Sequence, residues 1–123
     1  MSKILIVDDN PTNLKLVTFL VKSFGYQVET AIDADTTLAA VRKSTPDAIL
    51  MDLQLPGIDG LELTRRIKAE PATRTIAVIA LTAYAMKGDR EKAFAAGCDD
   101  YMTKPIDSRQ LREVIARHVG GVS

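Results

Sequence analysis

Five short apolar or β-branched runs, 4-ILIV-7, 27-QVET-30, 47-DAILM-51, 76-IAVIAL-81 and 100-DYM-102, alternate along the chain with segments of helical patterning. The strongest runs are continuously apolar rather than alternating, as expected of parallel strands covered by helices on both sheet faces. The intervening segments predict helices over about 11–24, 35–43, 59–69, 87–96 and 108–118. The first has Asn10 as N-cap, Pro11 at its first position, a stripe of Leu14, Val17, Val21 and Phe24, and Gly25 as its stop. Pro71 ends the third, Gly97 stops the fourth, and Asp107-Ser108 opens the fifth. Five strand–helix units joined by short loops predict an α/β doubly wound, five-stranded parallel sheet. In such a sheet, ligands sit beyond the carboxyl ends of the strands, near the point where strand order reverses.

A chain of 123 residues with 46% hydrophobic content forms one domain, 1–123, burying about two thirds of its unfolded surface. A second, output domain does not fit, and the Met1 start with a short Gly120-Gly121 tail favours a complete chain. Sixteen basic residues balance 16 acidic ones, with no basic tail or charge block, which argues against nucleic acid and anionic lipid as partners. The single Cys98 has no disulfide partner and reads as a small buried hydrophobe. The run Ile4–Val7 ends at Asp8-Asp9, too short for a signal sequence, and no stretch reaches the ~18 apolar residues of a membrane span. A soluble, cytoplasmic protein is expected.

Placed on this frame, Asp8 and Asp9 follow the first strand, Asp52 the third, Thr82 the fourth and Lys104 the fifth. Singly, each is ordinary: a cap or turn acid, a β-branched strand residue, a solvated lysine. Their convergence on one crevice is what carries meaning. Three crowded carboxylates require raised pKa values or a bound cation, and a hard divalent ion such as Mg²⁺ binds through one or two carboxylates, waters and a phosphate oxygen. A carboxylate can itself accept a phosphoryl group while a metal and a fixed cation stabilise the transferring oxygens. Asp52 suits the nucleophile, Lys104 the cation, and Thr82 a hydroxyl donor to a phosphoryl oxygen.

The motifs 6-IVDDN-10, 50-LMDLQLPGIDG-60, 81-LTA-83 and 101-YMTKP-105 together resemble the receiver domains of bacterial two-component response regulators, over essentially the whole chain. The segment 81–107 is most similar to single-domain regulators of the DivK type and to receivers attached to hybrid sensor kinases. The resemblance implies a flavodoxin-like (βα)5 fold with strand order 2-1-3-4-5. It implies Asp52 as phosphoacceptor, Asp9 as a direct Mg²⁺ ligand (Mn²⁺ as a substitute), Asp8 as an acid acting mostly through metal-bound water, and Gln54 as a backbone-carbonyl ligand. Thr82 becomes the switch hydroxyl, Tyr101 the aromatic that moves with it, Lys104 the phosphate partner, and Ala83 the small residue beside the pocket. It also implies a cis Lys104-Pro105 bond.

Asp52 then stands at the end of an apolar strand because a rigid strand aims it, with Pro56-Gly57 shaping the following turn. Ala34 and Thr37 depart from the Gly and Ala frequent in the family, which bears on local loop shape. His118, the only histidine, lies near the end of the last helix, where an imidazole meets the C-terminal dipole. The phosphodonor is therefore expected to be another molecule: a sensor histidine kinase or a histidine phosphotransfer protein. The chain is expected to be a monomer and no enzyme in its own right, since catalysis of its phosphorylation is shared with the donor. Output is expected through the fourth helix, fifth strand and fifth helix to a downstream protein.

Within the resemblance, the alternative is a receiver module cut from a hybrid sensor kinase; outside it, two other readings compete. A haloacid-dehalogenase-type phosphohydrolase also forms an aspartyl-phosphate, but it needs nucleophile and acid two residues apart after the first strand, and 8-DDNP-11 lacks that spacing. A flavin-binding module needs a Gly, Ser and Thr-rich phosphate cradle, whereas this first loop is acidic.

Overall fold

The computed structural model describes residues 2–55, 59–83 and 88–119. The Pro56-Gly57 turn, the predicted start of the fourth helix at residue 87 and the Gly120-Gly121 tail lie outside the described residues. Strands and helices alternate in chain order: β1 Lys3–Val7, α1 Pro11–Ser23, β2 Gln27–Ala31, α2 Ala34–Lys43, β3 Ala48–Asp52, α3 Gly60–Ala69, β4 Ala77–Thr82, α4 Asp89–Ala95, β5 Asp100–Thr103 and α5 Ser108–Val119. The five strands pair in parallel in the order β2-β1-β3-β4-β5.

The continuous apolar runs divide by alternation between two cores. Ile4 and Ile6 of β1, Leu50 of β3 and Ile79 and Leu81 of β4 pack with Val17 and Val21 of α1 and with Leu111, Val114 and Ile115 of α5. Leu5 and Val7, Ile49 and Met51, and Val78 and Ala80 face the other way, onto Val41 of α2, Leu63 and Ile67 of α3 and Ala93 of α4. Burying each such side chain contributes about 1.5–3 kcal/mol. β3 and β4 therefore have no polar face, and the side chains able to do chemistry are pushed to the strand ends.

Helix ends follow local hydrogen-bond chemistry. The Asn10 side chain accepts from the Thr12 and Asn13 N–H groups, and Pro11 opens α1. Asp33 and Thr36 form a reciprocal capping box at α2. Asp59, predicted as the first residue of the third helix, is instead its N-cap, accepting from Glu62 N–H at 2.7 Å. Asp107 caps α5 through the N–H groups of Arg109 and Gln110. The fourth helix begins at Asp89 because Gly88 before it has positive φ, and Gly97, predicted as its stop, follows the Ala96 C-cap with positive φ as well. Ala34 and Thr37 fit without distortion: Ala34 begins α2, and the buried Thr37 hydroxyl donates to the Asp33 carbonyl at 2.6 Å. No helix among the described residues is long and apolar enough to cross a membrane.

Candidate functional site

Strand register determines which side chains meet. In the parallel ladders Val7 lies opposite Met51, Asp52 opposite Leu81, and Thr82 opposite Thr103, so four strands end level. Asp8 is the first residue past β1, Asp52 the last of β3, Thr82 the last of β4 and Lys104 the first past β5. The crevice lies where chain order reverses, with β2 on one side of β1 and β3 on the other. Oxygens of Asp8, Asp9 and Asp52 lie within 4.8 Å of one another. The Lys104 amine stands 3.5 Å from Asp8 Oδ2 and 3.6 Å from Asp52 Oδ2. The Lys104-Pro105 peptide bond is cis.

Asp8 and Asp52 are each only 2% exposed, whereas Asp9 is exposed. Burial holds the Asp52 carboxyl above the usual carboxylate range; the Gln54 N–H bonded to Oδ1 and the Lys104 charge oppose this, while the neighbouring Asp8 adds to it. Three carboxylates and one ammonium leave a formal excess of two negative charges when all are ionised. That donor set, all hard oxygens and net negative, fits a divalent cation of the Mg²⁺ type, whose remaining positions water fills.

Asp8 and Asp9 differ in how they are held. Asp8 Oδ1 accepts the Asn10 N–H at 2.9 Å and its Oδ2 faces Lys104, whereas no described residue bonds the Asp9 carboxylate. Gln54 plays a part that sequence reasoning missed. Its side-chain Nε2 donates to Thr82 Oγ1 at 2.8 Å, and its Oε1 accepts the Ala83 N–H at 3.3 Å. The pairing of Asp52 with Leu81 places residue 54 beside residue 83, a register that hydrophobic pattern does not record.

Tyr101 is half-buried against the core beneath α4. Burial, followed by the neighbouring Asp89 and Glu91 carboxylates, pushes its phenol up despite the opposing Arg90 charge. His118 lies outside the crevice, its Nε2 3.0 Å from Asp100 Oδ2, which also accepts from Arg117. Cys98 is buried, with its thiol 3.9 Å from the Thr64 hydroxyl.

Gly60 stands where only a glycine fits. A Cβ there would come within 2.6 Å of the Asp52 carbonyl oxygen and 2.9 Å of Leu53 Cα, both backbone and unable to yield cheaply. Gly60→Ala is therefore expected to force α3 off the end of β3, costing about 1–3 kcal/mol as overpacking does. Urea denaturation checks this, and an unchanged midpoint would show that the contact relaxes freely.

The family model described as the response regulator receiver domain matches residues 4–116. The polar-differentiation response regulator DivK of Brucella anthropi is 41% identical over 117 residues, 95% of this chain and 95% of that protein. Among solved structures, the receiver domain of a sensor histidine kinase from Pseudomonas aeruginosa, with a magnesium ion coordinated in its active site cleft, is 38% identical with a TM-score of 0.89, covering 98% of each chain. A chemotaxis response regulator of Vibrio cholerae is 26% identical with a TM-score of 0.88, over 95% of this chain and 98% of that one.

Proposed function

This chain belongs to the response regulator receiver domain family, and from that membership we propose that it acts as a single-domain response regulator taking a phosphoryl group on Asp52 from a partner phosphohistidine. The observation that carries the reading is the meeting of Asp8, Asp9, Asp52 and Lys104 at one sheet edge. Asp52 Oδ1 is held by the Gln54 N–H, which leaves Oδ2, the oxygen facing Lys104, to attack phosphorus. As the new P–O bond forms, the P–N bond breaks and its electron pair returns to the donor imidazole nitrogen. The Lys104 amine meets the charge on the phosphoryl oxygens.

Asp9 directly, Asp52 and the Gln54 carbonyl, with Asp8 through water, are the residues that would hold Mg²⁺. When bound, the ion neutralises the negative charge shared by acceptor and phosphoryl group. The donor is a sensor histidine kinase or a histidine phosphotransfer protein, the site of action the cytoplasm, and the acceptor a monomer without turnover of its own. A phosphotransfer screen against purified kinases and phosphotransfer proteins tests the reading. Acquisition of a hydroxylamine-sensitive acyl phosphate supports it, and failure with every donor and with acetyl phosphate refutes it.

Output follows from the position of Thr82 and Tyr101 on neighbouring strands, where Ala80 lies opposite Tyr101. A phosphoryl oxygen drawing in the Thr82 hydroxyl vacates space into which the Tyr101 ring turns, changing the α4-β5-α5 surface offered to a downstream protein. A bias of ~1.4 kcal/mol between two arrangements changes their ratio tenfold. Thr82→Ala is expected to accept the phosphoryl mimic beryllofluoride yet leave the Tyr101 ring resonances where they stand without it. Wild-type ring shifts in that variant would send the output through another route.

A further inference from the structure

The Gln54 side chain makes contacts that a residue serving only through its backbone carbonyl has no reason to make. Its amide spans two neighbouring groups at the end of β4, Thr82 Oγ1 at 2.8 Å and Ala83 N at 3.3 Å. The orientation of the amide follows from chemistry: a backbone N–H only donates, so the atom facing Ala83 is the oxygen, and the nitrogen faces Thr82. Thr82 Oγ1 is thereby the acceptor of the Gln54 amide in this arrangement. The Gln54 backbone is tied to Asp52 Oδ1 at 3.0 Å, and the preceding Leu53 N–H to the Leu81 carbonyl at 2.9 Å. One residue thus links the acceptor carboxylate to the hydroxyl that reads its state. Gln54 is itself exposed while Thr82 is buried, so the clamp reaches inward from the surface onto a group that must move.

We infer that Gln54 is a positioning residue that holds Thr82 and the end of β4 in the unphosphorylated arrangement, and that the Thr82 hydroxyl shifts toward a phosphoryl oxygen only when this clamp releases. The inference rests on the reading of Thr82 as the phosphoryl-sensing hydroxyl. Release of the clamp opposes binding of a phosphoryl group, so removing it strengthens that binding. Because Gln54 is exposed, Gln54→Met keeps side-chain length and leaves the fold intact while deleting both bonds.

The experiment titrates beryllofluoride, with Mg²⁺ present, into wild type, Gln54→Met, Thr82→Ala and the double variant. Gln54→Met is expected to bind about five- to tenfold more tightly than wild type, the equivalent of one ordinary hydrogen bond no longer broken. In the Thr82→Ala background the same substitution is expected to change affinity less than about twofold, an outcome that a general packing effect at residue 54 does not produce. No gain, a loss, or an equal gain without Thr82 overturns the inference. A second readout needs no phosphoryl mimic: three-bond couplings of Thr82 in the unliganded protein should report one χ1 rotamer in wild type and averaging in Gln54→Met. An unchanged single rotamer in the variant overturns the clamp. Should wild type bind no beryllofluoride at all, the phosphoacceptor reading falls, and the couplings alone decide whether the clamp exists.

Discussion

Asp52→Asn is expected to lose all labelling by acetyl phosphate or a phosphohistidine donor, and at the same time to become more stable. The loss is complete because a carboxamide oxygen is a poor nucleophile and neither remaining acid replaces it. Asp8 is engaged by the Asn10 N–H and Lys104, and Asp9 stands on the exposed side of the cluster. The stability gain follows from the direction in which burial moves Asp52. A carboxyl whose folded pKa lies above its unfolded one binds its proton more tightly in the native state. Its contribution is favourable below the unfolded value and is lost as pH rises through the folded value. At neutral pH the ionised Asp52 is therefore a liability, sitting buried beside Asp8, and a neutral isostere removes it.

A gain of about 1 kcal/mol, or about 2–8 °C in Tm for domains of this size range, is the expected scale at pH 7 in EDTA, shrinking toward zero near pH 3. Thermal scans of both proteins across that pH range measure it. A stable but unlabelled variant shows that activity vanished with the nucleophile rather than with the fold. Residual labelling would displace Asp52 from the role, and a lower Tm at neutral pH would overturn the reading of its ionised carboxylate as a liability.

Much of this site is legible in the residues because the parallel sheet translates sequence position into spatial position with little freedom. Once 4-ILIV-7, 47-DAILM-51 and 76-IAVIAL-81 are recognised as buried strands, Asp8, Asp52 and Thr82 have nowhere to go but the carboxyl edge. Strand order is less accessible, since hydrophobic pattern records burial and not neighbours; it entered through family resemblance. The start of α4 is less legible because the sequence pattern from 87 onward resembles a helix, while the left-handed backbone at Gly88 delays it to Asp89; its stop at Gly97 is legible because a glycine there takes the positive φ that ends a helix. Side-chain hydrogen bonds between distant residues are the least legible. Gln54 reads as a surface glutamine until the ladder from Asp52 to Leu81 sets it beside Ala83. The requirement for glycine at position 60 is likewise invisible locally, because the obstructing atoms belong to β3 and the loop behind it.

Chelation of divalent metal is expected to abolish labelling, and Asp9→Ala to weaken Mg²⁺ binding more than Asp8→Ala. The asymmetry is built into how the two acids are held. Asp9 is exposed, with no described residue bonding its carboxylate, so its oxygens are available to replace water on an ion. Asp8 is buried and already accepts from Asn10 while facing Lys104, which suits a role through metal-bound water. Loss of an acid acting through water costs about 10–100-fold in affinity, and loss of a direct ligand is expected to exceed that. Protons compete with the ion for Asp52, whose pKa burial and the Asp8 charge hold up, so Mg²⁺ affinity should fall on acidification before an ordinary carboxylate would titrate. Asp8→Ala removes one of the two upward influences, and the acid limb of its binding curve should move to lower pH even as its affinity declines. Calorimetric titration of Mg²⁺ into wild type and both variants between pH 4 and 8 resolves the two effects. Equal losses in the two variants would mean that the acids share the ion symmetrically. An acid limb that stays in place in Asp8→Ala would mean that burial alone sets the Asp52 carboxyl, with the neighbouring charge contributing nothing measurable.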